Sequence, residues 1–141
     1  QVNGEDALKT VITVFYQYCF TDKRIAHFFA GIDKDRLKMH QFTFLRMVMS
    51  ENKYKYDGRD LMIAHSRLFR EGLGVCHFDS VVQNLLKTLY GLHMPQDIID
   101  DITAALGPLR GIFVEGENNE KERQMNMERG VVAPKKRMIM D

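Results

Sequence analysis

From Leu8 to Leu109, apolar residues return every three or four positions, and only three prolines interrupt the whole chain. That spacing gathers side chains on one face of an α-helix rather than of a strand. It predicts an all-α protein. The run EDALKTVITVFYQYCF sets Leu8, Val11, Ile12, Phe15, Tyr16 and Cys19 along one broad face, with Asn3 and Gly4 as the turn that leads into it. IAHFF (25–29) follows Thr21 and Asp22, residue types able to cap a brief helix. Gly31 then breaks the chain, and Asp33 can cap a helix that runs to about Met49.

SENKYKYDG reads as a loop with Asp57–Gly58 as its turn signal. RDLMIAHSRLFREG predicts one helix with Leu61, His65, Leu68 and Gly72 in register. Asp79 or Ser80 is the expected cap of SVVQNLLKTLYGL, whose Val81, Val82, Leu85, Leu86 and Leu89 form a core face and whose stop is Gly91. Pro95 opens a last helix bearing Ile98, Ile99, Ile102, Leu106 and Leu109, interrupted at Gly107–Pro108. From about residue 115 the composition turns charged and loses its core stripe. The expected organisation is therefore a helical domain over 1–114 and an extension over 115–141, either a solvated helix or a linker.

The 141 residues suit one domain, and a hydrophobic content of 45% is globular. No apolar run approaches the ~18–20 residues of a membrane span, and no signal-peptide pattern opens the chain. The first residue is Gln1 rather than Met, as in a domain cut from a longer protein. A net charge of +1, with Lys135, Lys136 and Arg137 too few to form a patch, gives no case for nucleic acid. Cys19 and Cys76 fall in no metal or redox motif and are expected to be small buried hydrophobes, which suits cytoplasm or another reducing intracellular compartment.

Of five histidines, none pairs with another at zinc-ligand spacing, and nucleophile-elbow, phosphate-loop and dinucleotide motifs are missing from the sequence. His27, His77 and His93 read as helix-end or surface residues. In the helix of DKDRLKMHQFTF, Leu37, His40, Gln41 and Phe44 recur at i, i+3, i+4 and i+7, so an imidazole and an amide are expected on a buried face. Unpartnered polar groups there would cost about 1–3 kcal/mol each, so something polar should sit opposite. His65 is in phase with Leu61 and Leu68. Alone, a core histidine bonded to a backbone carbonyl is the commoner explanation, and a buried Tyr16 ordinarily just finds a hydrogen-bond partner. Taken together, Tyr16, Gln41 and His65 on three helices, with His40 beside them, would be accounted for by a haem held between helices.

The runs VFYQYCFTDKRIAHFFAGID, HQFTFL, YDGRDLMIAHSRLFREGLG and HFDSVVQNLLKTL resemble, in order, the group I truncated haemoglobins, the short two-over-two helical globins. The resemblance spans residue 4 to about 113. It implies a non-covalent haem b with His65 as proximal ligand and Phe29 wedged against the haem. It further implies Tyr16 and Gln41 as distal donors, Leu37 in the place of the usual distal histidine, and Arg36, Tyr56 and Arg59 near the propionates. His40 can point outward to the haem edge and a propionate; but some cyanobacterial members use a histidine at its position as a second iron ligand, so a resting state ligated by both His65 and His40 is expected. This chain departs from the family in having Asn3–Gly4 for a Gly-Gly pair, in lacking the short preceding helix, and in carrying Gly111 where some members have a histidine bonded to the haem. The implied function is binding of O₂, NO or CO, with NO dioxygenation if an external reductase supplies electrons. A gas or redox sensor signalling through the C-terminal extension is the competing class, and a haem-free helical interaction module the third.

Overall fold

The computed structural model describes residues 4–49 and 58–130, with side chains over 6–46 and 61–130. The described residues form helices α1 (Gly4–Thr21), α2 (Lys34–Met49), α3 (Gly58–Ala64), α4 (Ser66–Arg70), α5 (Val75–Gly91), α6 (Gln96–Leu106) and α7 (Arg110–Glu128), with 3₁₀ turns at Ala26–Phe29 and Gly107–Leu109. No strand occurs among them. α1 packs on α2 and on α5, and α7 packs on α5, α3 and α4. This is the two-over-two arrangement.

The face foreseen on α1 is buried throughout, from Leu8 to Cys19, against Leu45 of α2, Leu85 and Leu89 of α5, and Ile99 and Ile102 of α6. Each such side chain contributes about 1.5–3 kcal/mol of burial free energy, so the stripe is what commits the segment to helix. Beyond α1, Asp22 caps nothing helical. Its Oδ1 accepts from the Arg24 N–H at 3.0 Å, an Asx turn, and its carboxylate is clasped by the Arg24 guanidinium at 2.7 Å. Asn84 of α5 donates to the same carboxylate at 3.0 Å, tying the end of α1 to α5. Gly31 adopts φ +77°, which accounts for the break there. Asp33 caps α2 as read, accepting from the Asp35 and Arg36 N–H groups at 3.1 and 3.2 Å.

Several sequence expectations differ from the structure. The single helix over 59–72 is two short ones, with His65 at the joint in a non-helical conformation (φ −104°, ψ 5°). α5 begins at Val75 rather than near Ser80. Its start is held by the His77 Nδ1, which accepts from the Gly74 N–H at 2.8 Å, and by Glu117 of α7, which accepts from the Val75 N–H at 2.8 Å. α5 ends at Gly91, as expected, but Gly91 is not the left-handed residue that closes it. The left-handed residue is His93 (φ 57°), with Met94 N–H bonded to the Leu89 carbonyl and His93 N–H to that of Tyr90, a Schellman ending. Gly107–Pro108 do interrupt the last helical run, as a 3₁₀ turn. Cys19 is buried, but Cys76 is exposed. The residue 114/115 boundary lies inside α7, which is unbroken to Glu128 and buries both Phe113 and Gly116.

Candidate functional site

A cavity of about 330 Å³ lies between α1 and α2 on one side and α3, α4, α5 and α7 on the other. Its wall is largely apolar, with Phe15, Phe28, Phe44, Leu68, Phe78 and Val81 among the contributors. The polar groups on it are few, and the sequence had singled out most of them: Tyr16, His40, Gln41 and His65, together with His77.

Tyr16 is 3% exposed, and its ring lies against Phe15, Phe20 and Phe29 at centroid distances of 4.7, 5.4 and 6.0 Å. The Gln41 Nε2 donates to the Tyr16 hydroxyl oxygen at 3.2 Å. With its oxygen used as acceptor, the phenol keeps its own proton to donate. Burial, only partly offset by the Gln41 bond, pushes its pKa up to about 12, so the proton stays on through the physiological range. This pair answers the question posed by the buried amide: its partner is a tyrosine on the neighbouring helix.

His65 presents the complementary chemistry. Its Nδ1 lies 2.9 Å from the Leu61 carbonyl oxygen, which fixes Nδ1 as the protonated nitrogen and leaves Nε2 with a free lone pair. Burial lowers its pKa, against the smaller opposing effect of the Leu61 bond, so the ring is neutral near pH 7. Phe113 of α7 meets it edge to face at 5.2 Å.

Phe29 and Leu37 both line the cavity and are half-buried. His40 borders it too but is exposed, so the α2 face is half-buried at Leu37, Gln41 and Phe44 and open at His40. Arg36 is exposed at the start of α2 and is not part of the described wall. Tyr56 and the side chain of Arg59 lie outside the described residues. His77 was read as a helix-end residue, which it is, yet it also lines the cavity, half-buried and 6.5 Å from the exposed His27 ring. Burial and the neighbouring His27 lower its pKa, with Glu117 opposing. Its HFD context carried no periodic signal, because its bond to the Gly74 N–H depends on where α5 starts.

Among the described residues no cluster of three or more His, Cys, Asp or Glu side chains could hold a metal ion. One or two imidazoles on an apolar wall suit a metal that brings its other ligands with it, as a porphyrin does. No helix among the described residues is long and apolar enough to cross a membrane.

No family model matches the chain. Among known relatives, it is 36% identical to the group 1 truncated haemoglobin GlbN of Synechocystis over 108 residues, covering 76% of this chain and 86% of the relative. It is 31% identical to the group 1 truncated haemoglobin of Tetrahymena pyriformis over 101 residues, covering 72% and 80%. Among solved structures, Chlamydomonas reinhardtii THB4 matches with a TM-score of 0.69 at 28% identity over 77% of this chain and 87% of that one. The 2/2 haemoglobin of Synechococcus, in the cyanomet state and with covalently attached haem, matches with 0.66 at 29% identity over 86% and 95%. The fold and cavity define a two-over-two helical globin. The chain belongs to the group 1 truncated haemoglobins.

Proposed function

We propose that the cavity holds a non-covalent haem b with His65 as its axial ligand, and that the protein binds a diatomic gas, O₂, NO or CO, beside Tyr16 and Gln41. The observation that carries this reading is the pairing, on one apolar cavity, of a neutral imidazole with a free Nε2 and a phenol with a free proton. A haem held there would supply an iron able to bind both an imidazole and a diatomic gas. His65 provides that imidazole, oriented by its bond to Leu61. Tyr16 donates its proton to the outer atom of the ligand, and Gln41 keeps the phenol in place. Phe29 and Leu37 exclude water from the pocket. Arg36, Tyr56 and Arg59 are assigned to the haem carboxylates by family resemblance. Gly111 has no side chain with which to bond the haem covalently.

His40 stands at the exposed margin of the same cavity. It is proposed as a second imidazole that would hold the iron of a gas-free haem; Leu37, one turn earlier, offers no competing ligand. A pocket that retains O₂ also suits oxidation of nitric oxide by the overall change NO + O₂ + e⁻ → NO₃⁻, with the electron delivered by an external reductase. The sensor reading is favoured by one observation, the continuation of α7 to Glu128 while docked on α3 and α4. Turnover of NO with a reductase supports the enzyme, and gas-dependent binding of a partner through residues 115–141 supports the sensor. The parent test is the absorption spectrum after addition of haem. A Soret band with shifts on reduction and on CO addition is expected, and its lack would overturn the haem reading in favour of a haem-free interaction module.

A further inference from the structure

We infer that Phe113 is a positioning residue for the His65 imidazole and that Gly116 sets the depth of α7 that holds it there. The inference rests on the haem reading and extends it to the role of α7 at the site. His65 is poorly held by its own backbone. It lies at the joint of α3 and α4, and its N–H is shared between the Leu61 and Met62 carbonyls at 3.2 and 3.3 Å. The Nδ1–H bond to Leu61 anchors one edge of the ring but is made within the same turn, so it moves with the joint. The contact from a separate element is Phe113, edge to face at 5.2 Å with the planes at 68°, a geometry that aromatic quadrupoles favour.

Phe113 cannot easily turn. Its ring stacks on Phe78 of α5 at 4.7 Å and lies 5.8 Å from Phe69 of α4. One turn further along α7, Gly116 faces the Phe69 ring so closely that any Cβ there would collide with it. Glu117, next in sequence, accepts from the Val75 N–H at the start of α5. Three attachments at residues 113, 116 and 117 thus fix α7 against α4, α5 and the histidine between α3 and α4. Groups that orient a metal ligand tune its affinity and electronics even without touching the metal.

The test uses Phe113→Leu, Gly116→Ala and the double variant Gly116→Ala/Phe69→Leu, in which the smaller side chain makes room for the new Cβ. The readout is the pattern of haem methyl proton shifts in the ferric cyanide complex, which follows the rotation of the axial imidazole. Haem transfer to an apoglobin acceptor is measured alongside. Phe113→Leu and Gly116→Ala are expected to reorder the methyl shifts and to speed haem loss about tenfold or more. The double variant should return toward the parent pattern. Variants that are helical by circular dichroism and bind haem, yet keep the parent methyl pattern, would overturn the inference while leaving the haem reading intact. A parent protein with no Soret band would overturn the haem reading and this inference with it. If Gly116→Ala does not fold, Phe113→Leu decides alone.

Discussion

Replacing Tyr16 with Phe removes one oxygen and leaves the ring among Phe15, Phe20 and Phe29 unchanged. The hydroxyl takes part in two interactions: it accepts from Gln41 at 3.2 Å, and its own proton is free for a ligand in the cavity. Dioxygen held at a ferrous centre draws negative charge onto its outer atom, so a bond from Tyr16 would be charge-assisted and worth roughly 1.5–3 kcal/mol. That is about 10- to 100-fold in dissociation rate. The stability cost should be smaller, under about 1 kcal/mol, because the half-buried Gln41 amide can turn to water for its lost acceptor. With the phenol pKa pushed up to about 12, the donor is fully protonated from pH 6 to 9, and the effect should be flat across that range. Stopped-flow displacement of O₂ by CO reads the rate. CO carries little charge on its outer atom, so its dissociation should change far less. Equal changes for both gases would show that the effect is steric, and no change for O₂ would show that the Tyr16 proton does not serve the ligand.

His65→Ala should lose stable haem binding and recover it with added imidazole; an unchanged spectrum without imidazole would remove His65 as the ligand. His40→Ala should convert a low-spin ferric spectrum to a high-spin or water-bound one and speed CO association, and a parent that is already high-spin at neutral pH would return His40 to a rim role. Asp22 is held below the usual carboxylate range chiefly by its hydrogen bonds to Arg24. A depressed carboxylate stabilises the fold above its unfolded pKa and loses that contribution as pH falls toward the folded value. Asp22→Asn should therefore lower the melting temperature at pH 7, with the gap to the parent closing below about pH 4; a gap that persists at low pH would assign the loss to packing.

The helices and their buried faces were legible because burial follows from local spacing. Val11, Phe15 and Cys19 on α1 and Leu85 and Leu89 on α5 are buried where the period of the sequence puts them. What escaped depends on contacts between distant segments. No residue type marks the joint at His65, which sits in phase with Leu61 and Leu68 as if one helix continued. The start of α5 is set partly by Glu117, 42 residues beyond Val75. Phe113 and Gly116 were hidden by the charged residues that follow them, although their neighbours are Phe69 and Phe78 on other helices. In the site, Gln41 was recognised as a polar group needing a partner, but only the crossing of α1 and α2 brings it to Tyr16.

The cavity has one more consequence. A chain of this size with a central space of about 330 Å³, walled by α1 and α2 on one side and α3 to α5 on the other, would count the haem as part of its hydrophobic core. A cofactor that binds only the folded chain stabilises it by mass action. Haem supply would then govern how long each copy survives in the cell, since the unloaded chain opens more often and meets proteases first.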